Sequence, residues 1–336
     1  MGESPTPRAA VGAQELADAA MAGDRRALAR VLTAVENRAP LAEAALRRLY
    51  PAAGKAHLVG ITGPPGAGKS TLVAALIGVV REAGRPVAVV AVDPSSPITG
   101  GALLGDRVRM QSYASDRDVF IRSMAARGHA GGLASTTTSA AAVLDAAGFD
   151  LVLIETVGTG QSEVEVAAAA DTTVVLEAPE MGDEVQAIKA GLLEVADLVV
   201  VNKGDKPGAL RTAAQLRAML VPTIMRSGAT YASDRPAPKR PEVLVTTAST
   251  GEGVPELLAA LDRHRAAGHD GLTAEVRRAR ALAQIRGVLA DRLGDRLQDA
   301  ALAPLADSLV DEVAEHRLDP YAAADHLLEA IAREQP

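Results

Sequence analysis

The sequence predicts an α/β chain, built on a doubly wound, mainly parallel sheet with a helical preface and a helical C-terminal region. Three observations carry that expectation. Between His57 and about His264, short Val/Leu/Ile runs alternate with stretches of helical periodicity. Several of those runs are uninterrupted, as parallel strands covered on both faces require. The chain is 48% hydrophobic but only 2% aromatic, so its core must be Ala, Val and Leu, which suits helices laid on a sheet.

Taken in order, residues 1–10 read as a flexible tail and residues 11–54 as an N-terminal helical region. Gly23 breaks the helical pattern, Asp24 is placed to cap the next helix, and Leu28, Val31, Leu32 and Val35 form one apolar face. Residues 55–267 form the main domain, with strands expected at Leu58–Thr62, Val87–Val92, Leu151–Glu155, Thr173–Leu176, Leu198–Asn202 and Val243–Thr246. Ligands of such a sheet bind at the C-terminal ends of its strands. The Pro- and Ser-rich stretch 226–242 reads as an exposed loop. Residues 268–336 read as helical, with Leu282, Ile285, Leu289, Leu293 and Leu297 on one stripe; Leu305, Leu309 and Val313 continue a similar pattern. Asp319-Pro320 reads as a cap followed by a first helical residue, and Leu327, Leu328 and Ile331 give the last helix an apolar face. These stripes fit either packing on the sheet domain or a dimerisation arm.

The chemistry begins at Gly63-Pro64-Pro65-Gly66-Ala67-Gly68-Lys69-Ser70, which fits the phosphate-binding pattern G-x-x-x-x-G-K-[ST] and continues into Thr71. It lies between an apolar strand and a helical stretch, where a P-loop NTPase fold needs it. Glycines let main-chain N–H groups turn inward around an anion. Lys69 would reach the β- and γ-phosphates, and the Ser70 hydroxyl would sit on Mg²⁺. Asn202-Lys203-Gly204-Asp205 then follows a strand, where GTPases read guanine. The Asp205 carboxylate would accept from N1–H and the exocyclic amine, a pair that adenine does not offer. Thr247-Ala248-Ser249, after the last strand, is placed to back the base.

Glu155 ends a strand and opens Glu155-Thr156-Val157-Gly158. It could hold Mg²⁺ through water or orient the attacking water, and Gly158 would give its N–H to the γ-phosphate. Asp93 and Asp106, from one connecting segment, are further candidates for the metal, with a solvated loop acid as the plainer alternative for Asp106. Gln161 lies three residues beyond Gly158, which predicts slow intrinsic hydrolysis.

The formal net charge is −7 and no basic stripe stands out, which argues against a nucleic-acid partner. Absence of Cys excludes disulfides, thiolate metal sites and cysteine nucleophiles. No apolar run approaches the ~20 residues of a membrane span. The N-terminus lacks signal-peptide features and matches the myristoylation pattern only formally. A cytoplasmic protein is the expectation.

Three longer segments carry a resemblance. They are Asp93-Pro94-Ser95-Ser96-Pro97-Ile98-Thr99-Gly100-Gly101-Ala102-Leu103-Leu104-Gly105-Asp106-Arg107, then Phe120-Ile121-Arg122-Ser123-Met124-Ala125 with Arg127-Gly128-His129, and Glu155-Thr156-Val157-Gly158-Thr159-Gly160-Gln161-Ser162-Glu163. Together they closely resemble the methylmalonyl-CoA mutase-associated GTPases of MeaB/ArgK type, over about residues 58–265. The resemblance implies a GTPase chaperone that gates cofactor loading of an adenosylcobalamin-dependent acyl-CoA mutase and protects it. GTP or GDP and Mg²⁺ would be its ligands, with no cobalamin bound directly. It implies a homodimer joined through C-terminal helices, with Lys69, Asp93, Asp106 and Glu155 as nucleotide, metal and catalytic residues. Gly182-Asp183-Glu184-Val185-Gln186-Ala187-Ile188-Lys189-Ala190-Gly191 resembles the family's additional switch loop, with Gln186 and Lys189 as contact residues for the mutase. Two features depart from the pattern: Pro179-Glu180 stands where Pro-Gly is common, and Lys206-Pro207-Gly208 follows the guanine motif. The competing classes are a nickel-type metal-delivery GTPase, a signal-recognition GTPase, a kinase acting on a transport protein, and a non-enzymatic scaffold. The first usually carries Cys/His clusters; this chain has no Cys and six scattered His. The second would want a basic, Met-rich domain, and no kinase catalytic loop supports the third.

Overall fold

The computed structural model describes residues 7–94, 110–113, 115–126, 132–156, 170–179, 193, 195–220, 241–271, 274–297 and 299–333. Three helices come first: α1 (Pro7–Met21), α2 (Arg25–Glu36) and α3 (Pro40–Leu49). The sheet domain follows as β1 (His57–Thr62), α4 (Lys69–Glu82), β2 (Val87–Pro94), β3 (Val119–Ala126), α5 (Gly132–Ala146), β4 (Leu151–Thr156), β5 (Thr172–Glu177), β6 (Leu198–Val201), α6 (Ala209–Leu220), β7 (Glu242–Val245) and α7 (Val254–Gly271). The chain ends in α8 (Ala274–Leu297), α9 (Ala303–Ala314) and α10 (Pro320–Arg333). Two compact units divide between Arg280 and Ala281, within α8.

All six strand pairings are parallel, in the order β3-β2-β4-β1-β5-β6-β7. Every residue of β4 and β5 is buried, which explains why their sequences lack the polar alternation of a half-exposed strand. On one face, Leu72 and Leu76 of α4 and Leu257 and Leu261 of α7 pack on Val59, Ile61, Leu153 and Val174. On the other, α1–α3 and α5 cover Val90, Val152 and Ile154, while α6 covers Val175, Val199 and Val201. From β1 the chain moves first to one side, to β2 and β3, then to the other, to β5, β6 and β7. This reversal opens a crevice at the C-terminal ends of β1 and its neighbours.

The helical preface forms as its sequence dictates. Asp24 Oδ1 accepts from the N–H groups of Arg26 at 2.8 Å and Ala27 at 3.1 Å, capping α2. Leu28, Val31, Leu32 and Val35 are all buried. Residues 7–10, expected in a flexible tail, instead belong to α1. Pro7 suits a helix start, because the N–H it lacks would have no intrahelical partner there.

β3 is the strand that sequence periodicity did not announce. Phe120, Arg122 and Met124 alternate with Val119, Ile121 and Ser123, so a charge and a hydroxyl interrupt the apolar run. The charge is answered from another element: Arg122 pairs with Glu36 of α2. Arg25, also of α2, lies 5.4 Å over the Phe120 ring.

In the second unit, Leu302, Leu309 and Ala323 are buried. Asp319 Oδ1 accepts from the N–H groups of Tyr321 at 3.0 Å and Ala322 at 3.1 Å, so it caps α10 as expected. The stripe on α8 is exposed: Leu282 by 47%, Ile285 by 57% and Leu289 by 53%. Leu328 on α10 is exposed as well. The stretch 221–240 lies outside the described residues.

Candidate nucleotide site

The phosphate loop leaves β1 at Thr62 and enters α4 at Lys69. Gly63, Gly66 and Gly68 all have positive φ, at 140°, 80° and 97°. At two of them space also demands glycine: a Cβ on Gly63 would lie 2.3 Å from the Leu176 carbonyl oxygen, and one on Gly68 2.4 Å from Asn202 Nδ2. Pro65 and Gly66 form the exposed tip, Pro64 is half-buried, and Ala67 is buried beneath. Gly68 caps α4 without a side chain, so the N–H groups of the first turn, Thr71 included, have no intrahelical acceptor and point out of the helix end. Lys69 is buried, and its ammonium donates to the carbonyl oxygens of Gly63 at 2.7 Å and Pro64 at 3.1 Å. A cation, a row of amides and a helix start thus converge on one loop, a composition that takes a polyphosphate.

The metal half is built from neighbouring strands. Glu155 on β4 pairs in register with Ile61 on β1 and Ala91 on β2. This places it beside the start of α4, and Ser70 Oγ donates to Glu155 Oε1 at 2.6 Å. Both residues are buried. Two hard oxygen donors so close together suit Mg²⁺, which takes one or two protein oxygens and completes its shell with phosphate and water. Among the described residues no group of three or more His, Cys, Asp or Glu side chains could by itself hold a metal. When bound, such a cation supplies charge neutralisation to the phosphates. Asp93 occupies the C-terminal end of β2, in register with Ala125; its side chain lies outside the described set. So do Asp106, Gly158, Gln161, Glu180 and the whole of Gly182, Asp183, Glu184, Gln186 and Lys189.

At the base-reading end, Asn202 does structural work. Its Nδ2 donates to Ala67 O at 2.9 Å, and its Oδ1 accepts from Thr246 Oγ1 at 3.2 Å and from the N–H of Ala248 at 3.1 Å. One buried amide therefore staples the phosphate loop to the segment after β7. Thr246, absent from the sequence-derived site, is part of that staple, and its carbonyl accepts from the Gly204 N–H at 2.8 Å; a Thr closing an apolar strand just before Thr247-Ala248 was the available signal. Lys203 adopts a left-handed φ of 59° to make the turn. The Asp205 side chain is 52% exposed, with Lys206 Nζ 3.9 Å from its carboxylate. Lys206 donates its N–H to Lys203 O, and Gly208, at φ 91°, accepts from Thr212 N at the start of α6. The unusual Lys206-Pro207-Gly208 is thus a turn into that helix. Thr247 and Ala248 are buried and Ser249 is exposed, and Thr247 forms an isolated antiparallel bridge with Glu252.

Comparisons agree with this architecture. A putative GTPase of Pyrococcus horikoshii is 44% identical over 324 residues, covering 94% of this chain and 98% of its own length. The mouse mitochondrial methylmalonic aciduria type A homolog is 38% identical over 255 residues, covering 70% of this chain and 59% of its own. A crystal structure of an LAO/AO transport system kinase superposes with a TM-score of 0.66 at 27% identity, covering 96% of this chain and 98% of that one. The family model for the methylmalonyl Co-A mutase-associated GTPase MeaB matches residues 28–301, and the chain belongs to that family of P-loop GTPases.

Proposed function

We propose that this GTPase binds Mg²⁺–GTP across the C-terminal ends of β1, β4 and β6 and acts as a chaperone for an adenosylcobalamin-dependent acyl-CoA mutase, assisting cofactor loading and protection. The observation that carries the nucleotide half is the 2.6 Å bond between Ser70 and Glu155, one residue after a lysine folded onto its own glycine loop. In this reading the Lys69 ammonium exchanges two neutral carbonyls for the β- and γ-phosphates. Ser70 and Glu155 hold the cation, with Asp93 and Asp106 as further carboxylates, and Gly158 donates its N–H to the γ-phosphate. Asp205 accepts from guanine while Asn202, Lys203, Thr247, Ala248 and Ser249 shape the base pocket. The segment Gly182, Asp183, Glu184, Gln186 and Lys189 carries nucleotide state to the mutase.

Support for the mutase comes from the family description and from the mouse relative's name. The exposed apolar stripe of α8 supports a homodimer formed through that helix, since a second copy would cover Leu282, Ile285 and Leu289. The expected compartment is the cytoplasm, and no described helix is long and apolar enough to cross a membrane.

Calorimetry with magnesium should detect GTP and GDP binding and little ATP binding; preference for ATP would end the guanine assignment. Pull-down of methylmalonyl-, isobutyryl-, ethylmalonyl- and hydroxyisobutyryl-CoA mutases, with and without a non-hydrolysable GTP analogue, should retain one of them. Retention of none would remove the chaperone role while leaving the GTPase intact.

A further inference from the structure

At the foot of the sheet, opposite the nucleotide site, four side chains from four elements meet. His57 opens β1, Thr172 opens β5, Asp197 immediately precedes β6, and His264 lies on α7. His57 Nε2 is 2.7 Å from Thr172 Oγ1, which is itself 2.7 Å from His264 Nδ1. His264 Nε2 faces Asp197 Oδ1 at 3.5 Å, and the other oxygen of Asp197 accepts from the Thr173 N–H at 2.8 Å. His57 and Thr172 are buried, and His57 Nδ1 is buried with no hydrogen-bond partner.

These contacts allow one good order of protons. Thr172 has a single hydroxyl proton, so it donates to one histidine and accepts from the other. If it donates to His264 Nδ1, then His264 carries its proton on Nε2, facing the Asp197 carboxylate. His57 then donates from Nε2 and keeps Nδ1 bare. If the order is reversed, His57 must carry a proton on Nδ1, where a buried donor finds no acceptor, and His264 turns a lone pair toward a carboxylate. Both changes are unfavourable. The surrounding charges are Asp171 before β5, Asp262 and Arg265 on α7, Asp150 before β4, and Arg85, which pairs with Asp150 and Asp262.

We propose that this chain is a proton-ordered latch that fastens α7 to the foot of the sheet and, through α7, sets how firmly the Thr247-Ala248 segment supports a bound nucleotide. α7 is suited to transmit the state of the latch. It starts just after the Thr247–Glu252 bridge, and its Leu257 and Leu261 share a core with Leu72 and Leu76 of the phosphate-loop helix. Val254 and His264 are ten residues apart on the helix, about 15 Å along its axis. His264, whose side chain is 35% exposed, is the solvent-facing end of the chain. Removing the Thr172 hydroxyl breaks both of its histidine links at once.

The latch rests on the guanine-nucleotide reading, and its test separates the two. On the full chain with ¹⁵N-labelled histidine at pH 7.5, NMR should show His57 and His264 both neutral and both protonated at Nε2. An Nδ1–H tautomer at either residue, or an imidazolium, overturns the proton order. Thr172→Val, which keeps the shape and removes the hydroxyl, should quicken GDP dissociation three- to tenfold at pH 7.5. Thr172→Ser, which returns the hydroxyl, should restore the wild-type rate. A lower melting temperature with an unchanged dissociation rate would overturn the coupling. If the valine variant does not fold, His264→Phe, which removes the same link from the helix side, takes its place, and an unchanged dissociation rate overturns the coupling equally. Failure of the wild type to bind GDP at all would instead sink the guanine reading, and the histidine spectra would still decide the proton order.

Discussion

The two ends of this sheet bond their charged groups differently. At the foot, charges meet fixed opposite charges. Arg85 reaches Asp150 at 2.5 Å and Asp262 at 2.9 Å, and Arg265 joins Asp150 at 2.8 Å while donating to Lys55 O at 2.6 Å. Burial works against the charge on Asp150, but hydrogen bonds from Arg265 and Arg85 outweigh it and hold its carboxyl below the usual range. At the C-terminal ends, Lys69 rests on neutral carbonyls of its own loop, and Ser70 lends its hydroxyl to Glu155. Bonds from a cation to neutral carbonyls are readily exchanged for bonds to phosphate, whereas a doubly paired carboxylate is scaffolding. The difference teaches where to expect loss of function without loss of fold, and where the reverse.

The sharpest break in that comparison is Lys69→Ala. Hydrolysis should fall by about a thousandfold with the melting temperature little changed, measured by phosphate release and thermal unfolding; persistent turnover would remove Lys69 from the site. Next is the acid response of the foot. Burial pushes the His57 imidazole down from 6.5 to about 4. The unfolded chain therefore binds the extra proton first, and stability present above pH 6.5 is lost as the pH falls toward 4. The His57 contribution is about 3 kcal/mol. Urea unfolding at stepped pH checks it, and a His57→Gln variant should flatten the slope.

At the opposite end, Asp205→Asn should weaken GTP binding about a hundredfold and shift preference toward xanthine nucleotide, with the stability of the chain unaltered. Calorimetry with both nucleotides decides it, and unchanged GTP affinity would exclude Asp205 from the base. The smallest effect is expected from Asp150→Asn, which leaves Arg85 and Arg265 less well matched. About 2 kcal/mol of stability should go, while GTP hydrolysis by the folded fraction stays at the wild-type rate. A variant that kept its stability but lost turnover would overturn the division between the two ends.

Much of the fold was legible because burial on both faces leaves a plain signature: Leu151–Ile154 and Thr173–Leu176 are strands by composition alone. β3 was not, since Arg122 and Ser123 break its apolar run and the residue answering Arg122 lies on α2, 86 positions earlier. The start of α1 was missed because Ser4-Pro5-Thr6-Pro7 carries no helical periodicity, and Pro7 becomes a start signal only with the helix behind it. In the site, Ser70 and Glu155 come together because β1 and β4 are adjacent. Asn202 was read only as part of a guanine motif. That its amide spans Ala67, Thr246 and Ala248 depends on three segments far apart in sequence, and no local pattern encodes it.

That amide has a consequence for how recognition is organised. Because one amide ties Ala67, Asn202 and Ala248 together, the two halves of a guanine nucleotide would dock on one continuous surface. Nucleobase and phosphates then act as the arms of a chelate, each raising the effective concentration of the other. Discrimination by such a surface needs no rearrangement between its halves, which leaves conformational freedom to be spent elsewhere in the protein.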